Sequence, residues 1–180
     1  MITIKLKDGK EKQFEKAVPL FEAAKEISNS LGRDALVAEV NGKLTDLRDS
    51  ISDGSFVEFF TKEDKQGLFT LRHTASHVMA QAIQHLFPGT KFAIGPAIDE
   101  GFYYDLESDH VFSQDDFAAI EQEMAKIAKA NIPLTKKVVS RAEALKFFQE
   151  KGQDYKVMLI NDLPEDAQIS LYEQGDFTYL

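Results

Sequence analysis

His73 and His77 lie four residues apart in RHTASHVMAQAIQHLF, residues 72–87, and four residues along a helix bring two side chains to one face. Such a pair can ligate a metal, pass a proton or sit on a wetted surface. The zinc-protease pattern sets a glutamate directly after the first histidine, whereas Thr74, Ala75 and Ser76 fill this gap. His85 projects about 80° around the helix from His77, His110 sits apart in SDHVF, and the chain has no cysteine. Two imidazoles fall short of the three or four ligands that zinc sites take, so no metal is expected. Acid–base chemistry asks for less, because histidine titrates near neutrality and a pair can orient water and shuttle a proton. Ester hydrolysis suits such a pair. Lys156 in DYKVMLI is a further candidate, against the commoner role of a solvated lysine. Tyr103 and Tyr104 must point to opposite sides of their strand, which leaves one of them free to line a site.

The pair needs a helix to carry it. Leu68, Leu71, Ala75, Val78, Ala82 and Leu86 recur at helical spacing and predict a helix over 68–86, stopped by Pro88-Gly89. His73 and His77 fall roughly 170° from the centre of that stripe, with Ala80, Gln81 and Gln84, so an open polar face or the wall of a cleft is expected. KFAIGPAI and GFYYDLE predict two strands around Asp99-Glu100-Gly101. Ser113 and Ser140 are placed to cap two helices, the second with Glu143 at the capping-box position. LTKKVV is a strand, YKVMLINDL a short helix, and ISLYEQGDFTYL a hairpin around Gln174-Gly175.

Residues 1–62 form a separate pattern. A hairpin closes near Asp8-Gly9, a helix opens at Pro19, a second hairpin turns at Asn41-Gly42, and SFVEFFT alternates as a closing strand. This order is that of a small β-grasp sheet over one helix. KEDKQG, polar and ending in glycine, is the linker candidate. The expected organisation is α+β in two units, 1–62 and 68–180, joined through 63–67, with an antiparallel sheet packed on the long helix in the second.

With 180 residues, 43% hydrophobic and 28% charged, the composition is that of a soluble globular chain. MITIKLKDGK lacks a long apolar core, so no secretory signal or membrane association is expected and a cytoplasmic location follows by default. The net charge of −9 argues against a general grip on nucleic acid. It is uneven: 10 Lys/Arg against 11 Asp/Glu in residues 1–62, and 11 against 19 beyond them.

RHTASHVMAQAIQHLFP, followed by KFAIGPAIDEGFYYDLE and then DYKVMLI, resembles the N-terminal editing region of bacterial threonyl-tRNA synthetases. The preceding 62 residues resemble the TGS domain of those enzymes, which also occurs in certain GTPases and stringent-response proteins. The resemblance implies a β-grasp domain followed by an editing domain that removes serine wrongly attached to threonine-specific tRNA. It implies catalytic roles for His73, His77 and Lys156, and substrate-binding roles for Gly95 and Tyr104. It also implies partners, namely the aminoacylated 3′ end of the tRNA and the remainder of a synthetase that dimerises through other domains. ATP, magnesium and zinc belong to those other domains, and no cofactor is expected in this part.

Two departures bear on activity. The family completes its editing motif with Cys-x-x-x-His, which does not occur before Leu180, and Tyr179 stands where many relatives carry an acidic residue near the site. A half-built site, inactive alone, is therefore expected. The rival expectations are a TGS-type regulatory binding module without catalysis, and a free-standing aminoacyl-tRNA editing hydrolase.

Overall fold

The computed structural model describes all 180 residues, and they divide into two compact units, Met1–Arg72 and His73–Leu180. In the first, β1 (Ile2–Leu6) and β2 (Glu11–Phe14) form the expected hairpin. The helix α1 (Leu20–Ile27) starts immediately after Pro19, whose missing N–H costs nothing at a helix start. A short second helix, α2 (Asn29–Asp34), was not apparent from periodicity; Ser28 caps it by accepting the Leu31 N–H at 3.0 Å. The strands β3 (Val37–Val40) and β4 (Lys43–Thr45) turn through Asn41 and Gly42 at φ 51° and 83°. Two consecutive positive φ values are what a two-residue hairpin matching strand twist demands, and Asn-Gly supplies them at least strain. The last strand, β5 (Phe56–Phe60), runs parallel to β1, and the sheet order is β2-β1-β5-β3-β4. Ile4, Phe14, Leu20, Ala23, Ala38 and Val57 bury the contact between sheet and α1. This is a β-grasp fold.

The long helix α3 runs Lys65–Leu86, three residues earlier than its apolar stripe predicts. Most of the expected 63–67 linker is therefore its start. Asp64 explains the difference: its backbone carbonyl accepts the Leu68 N–H at 2.8 Å, and its carboxylate accepts the Thr61 N–H at 2.8 Å. The carboxylate folds back on Thr61, ahead of the helix, while Thr61 Oγ1 accepts the Glu63 N–H at 3.3 Å, so a polar stretch here forms an ordered turn into the helix, which polarity alone does not distinguish from a linker.

In the second unit, β10 (Leu134–Val139), β11 (Ile169–Gln174) and β12 (Phe177–Tyr179) form a three-stranded antiparallel sheet once the four short strands preceding them are numbered. Those four are β6 (Lys91–Phe92), β7 (Ala97–Ile98), β8 (Gly101–Phe102) and β9 (Leu106–Glu107), paired β6 with β9 and β7 with β8. They replace the two continuous strands expected there. Between the pairs, four residues, 93–96, face three, 103–105, so the hairpin carries a bulge, which leaves carbonyls outside the ladder.

Three helices complete this unit. The helix α4 (Phe117–Ala130) follows a 3-10 turn capped by Ser113, α5 (Arg141–Glu150) has the Ser140–Glu143 capping box, and α6 is Asp154–Asp162. Ala80, Ala82 and Ile83 of α3 pack with Phe92, Ile120, Phe177 and Tyr179, while Ala144, Phe148, Ile160, Ile169 and Leu171 form a second core.

The expected stripe of α3 needs correction. Leu71 and Leu86 are exposed, whereas Ser76, His77, Ala80, Gln81 and Ile83 are buried. The strand β12 and the bulged hairpin cover the face that composition marks as polar. Its polar groups find partners there, Gln81 accepting from Gln174 Nε2 at 2.7 Å and donating to Asp176 at 2.8 Å. Satisfied polar groups can be buried at little cost, and hydrophobic periodicity cannot see them. No helix is long and apolar enough to cross a membrane.

Candidate active site

His73 and His77 lie one turn apart on α3 with their Nε2 atoms 3.1 Å from each other. They do not share an open face. His77 is only 4% exposed while His73 remains the more open member. The Nδ1 atom of His77 is 3.4 Å from the Tyr104 hydroxyl. Tyr103, the other of the two adjacent tyrosines, is exposed.

These contacts make a short chain, Tyr104–His77–His73, in which each neutral imidazole has one donor and one acceptor nitrogen. When Tyr104 donates to Nδ1 of His77, Nε2 of His77 carries the proton and donates to His73. When His73 donates instead, the order reverses. One proton occupies the gap between the rings in either case.

The face of the His77 ring is covered by Tyr179, with centroids 3.5 Å apart and planes inclined by 8°. Burial, the neighbouring His73 and the Lys156 charge together lower the His77 pKa from 6.5 to about 3. Burial first, and then Lys156, also lower that of His73. Both rings are thus neutral at physiological pH. Burial, followed by the influence of Tyr179, raises the pKa of the Tyr104 hydroxyl, which keeps its proton.

Lys156, on α6, is 5% exposed. Its Nζ donates to the backbone carbonyl of Ala93 at 2.7 Å and lies 5.8 Å from the centre of the Tyr104 ring, within cation–π range. Burial lowers its pKa from 10.5 to about 8. Ile160, buried one turn further along α6, shows that this face packs inward, a periodicity that a lysine in the middle of an apolar run masks.

The hairpin bulge supplies the frame. Ser76, with no exposed surface, donates from Oγ toward the Gly95 carbonyl at 2.8 Å and the His73 carbonyl at 2.7 Å. Gly95 itself lies against Tyr104, and a Cβ there would stand 2.2 Å from Cδ2 of that ring. Only glycine allows the approach. The bulge therefore offers the Ala93 carbonyl to Lys156 and the Gly95 carbonyl to the histidine helix. Sequence reasoning singled out neither Ser76 nor the backbone of Ala93, because nothing in residue type signals a bulge.

All five residues singled out in the sequence, His73, His77, Gly95, Tyr104 and Lys156, come together through these contacts. His85 and His110 do not join them. The His85 ring lies between Glu123 (Nδ1, 2.9 Å) and Asp176 (Nε2, 2.8 Å), and these partners raise its pKa. His110 pairs with Asp116 at 3.0 Å and stacks on Phe87. No group of three His, Asp or Glu side chains stands where it could hold a metal. The cluster can accept a proton at an imidazole, pass it along the ring pair, and present a poorly solvated ammonium beside an aromatic wall.

Residues 2–61 match the TGS domain family. The whole chain is 48% identical to a threonine–tRNA ligase of Syntrophomonas wolfei over 180 residues, 50% identical to that of Finegoldia magna and 49% to that of Clostridium novyi. In each case all of this chain is covered but only 28% of the relative's length. Residues 2–61 are thus a TGS domain, and the chain as a whole is similar to a part of bacterial threonine–tRNA ligases amounting to 28% of their length.

Proposed function

We propose that residues 73–180 serve as the editing domain of a threonine–tRNA ligase and hydrolyse serine esterified to threonine-specific tRNA. The reading rests on one observation above all: the neutral Nε2-to-Nε2 histidine pair, with Tyr104 on the far nitrogen of His77. A ligase for threonine faces a physical difficulty with serine, which is smaller by one methyl. A missing methylene-sized group in a pocket is worth only about 1–3 kcal/mol, or roughly 10–200-fold. A second, hydrolytic site that fits serine and excludes the extra methyl adds the rest.

His73, the open member, accepts a proton from the attacking water at the nitrogen turned away from His77 and returns it to the ribose oxygen as the ester breaks, while His77 engages its Nε2. Lys156 spends one of its three N–H donors on Ala93 and keeps two for polar groups of the substrate. Gly95 and Tyr104 line the space for the side chain. The aminoacylated 3′ end is the substrate element. The acidic bias of this unit leaves the hold on the tRNA body to the remainder of the ligase, which also supplies the groups that complete the site, the homodimer contacts, and the ATP, magnesium and zinc sites. A cytoplasmic setting follows from that role.

The experiment is hydrolysis of seryl-tRNA by this chain joined to the rest of a relative's ligase, with and without His73→Ala and His77→Ala. Each substitution is expected to lower the rate by about 100-fold or more, the scale of lost positioning and proton transfer. Unchanged rates in both variants overturn the proposal.

A further inference from the structure

We propose that Tyr179 is a positioning residue for the candidate site, holding the His77 ring in the one plane that aims Nε2 at His73 and Nδ1 at the Tyr104 hydroxyl. The imidazole of a histidine turns about its Cβ–Cγ bond in a broad, roughly two-fold well. Hydrogen bonds at 3.1 Å and 3.4 Å from its two nitrogens do not by themselves fix that angle. What blocks rotation is the parallel phenol face 3.5 Å away. Turning the imidazole would drive its edge into the Tyr179 ring.

The tyrosine ring is itself held. Tyr179 stands directly opposite Tyr172 across the β11–β12 ladder, and the two rings stack with centroids 5.4 Å apart and planes within 11°. Cross-strand aromatic pairs of this kind stabilise their register. Tyr179 is 4% exposed, and Phe177 packs beside it. The edges of His77 meet His73 and Tyr104 at steep angles, 66° and 77°, so those neighbours define directions and leave the ring face to Tyr179. The orientation of the imidazole is therefore carried by the sheet, through three stacked rings running Tyr172–Tyr179–His77, and is not set by the helix alone.

The consequence for hydrolysis rests on the function proposed above; the orientation of the ring does not, and the experiment separates them. Histidine side chains of the 15N-labelled chain are observed by long-range 1H–15N correlation in the native protein and in Tyr179→Phe, Tyr179→Leu and Tyr179→Met. Native protein and Y179F, which keep the ring face, are expected to show His77 in a single neutral tautomer with ring-current-shifted carbon-bound protons. Y179L and Y179M are expected to average the two ring nitrogens and to raise the midpoint at which His77 titrates, because the face is no longer shielded. The signals of His85 and His110, which have their own partners, report that the fold is intact, and Met, flexible and close in length, serves should Leu fail to fold. A sharp single tautomer with an unmoved midpoint in a folded Y179L or Y179M variant overturns the proposal. That result would leave the hydrolytic function standing, and absence of hydrolysis in the native ligase would leave the ring-holding role standing.

Discussion

The Nε2 atoms of His73 and His77 face each other across 3.1 Å, a distance that admits one proton and not two. An added proton turns one of the rings into an imidazolium in a buried site already beside Lys156. Burial first, and then the Lys156 charge, lower the pKa of His73, while burial, the neighbouring His73 and Lys156 lower that of His77. If the neutral pair is the working form, hydrolysis is lost only as pH falls through these lowered values. Rate against pH on single-turnover hydrolysis should therefore hold below 6.5, the ordinary histidine value. An acidic limb centred at or above 6.5 contradicts this.

Stability follows the same proton. Unfolding restores His77 to its ordinary 6.5, while folding lowers it to about 3, so the unfolded chain binds the extra proton between those values. Stability must then fall as pH drops from about 6.5 toward 3, by up to about 1.4 kcal/mol per pH unit for one fully affected group. Denaturant titrations of the native chain and of His77→Asn across this window should show a shallower acid loss in the variant.

Lys156 acts in the alkaline range. Its folded value of about 8 lies below 10.5, so between these the unfolded chain again holds the extra proton and stability from this group rises with pH. Below about 8 the ammonium is charged in both states and its burial costs the fold. In Lys156→Met the pH dependence between 8 and 10.5 should diminish, and hydrolysis should fall because Ala93 and the substrate lose a donor. Denaturation midpoints at pH 8 and 10 check the first expectation, and single-turnover rates the second.

Gly95→Ala tests the bulge. The added Cβ would meet Tyr104 at 2.2 Å, and the ring must swing away from His77. Overpacking of this kind costs about 1–3 kcal/mol. A loss of stability in that range, accompanied by weaker hydrolysis, is expected in urea melts and rate assays. A fully stable variant would show that the hairpin gives way easily.

Much of the scaffold was legible because it is locally coded. Asn41-Gly42, the Ser140–Glu143 box and the hairpin at Gln174-Gly175 each need specific residues for a backbone reason. Asp64 illustrates the limit, since the same polar residue suits a linker or, with its carboxylate folded back on Thr61, an ordered turn into a helix. The site divides similarly. The histidine spacing put both rings on one side of α3, but only the fold shows that β12 lays Tyr179 on His77, 102 residues away in sequence. Long-range stacking and a one-residue bulge leave no local pattern, which is why Ser76 and the Ala93 carbonyl went unseen. His77 and Gln81 read as exposed because their partners, Tyr104, Gln174 and Asp176, are supplied from other elements.

The central claim is a hydrolytic site that tells serine from threonine. The most direct measurement is the loss rate of seryl- and threonyl-esters of threonine-specific tRNA, assayed in parallel with this chain joined to the rest of a relative's ligase. The account predicts that the seryl ester is lost faster by at least the roughly 10-fold that one methyl can supply, and that His73→Ala with His77→Ala abolishes the difference. Equal loss of both esters, whether the histidines are present or not, would contradict it.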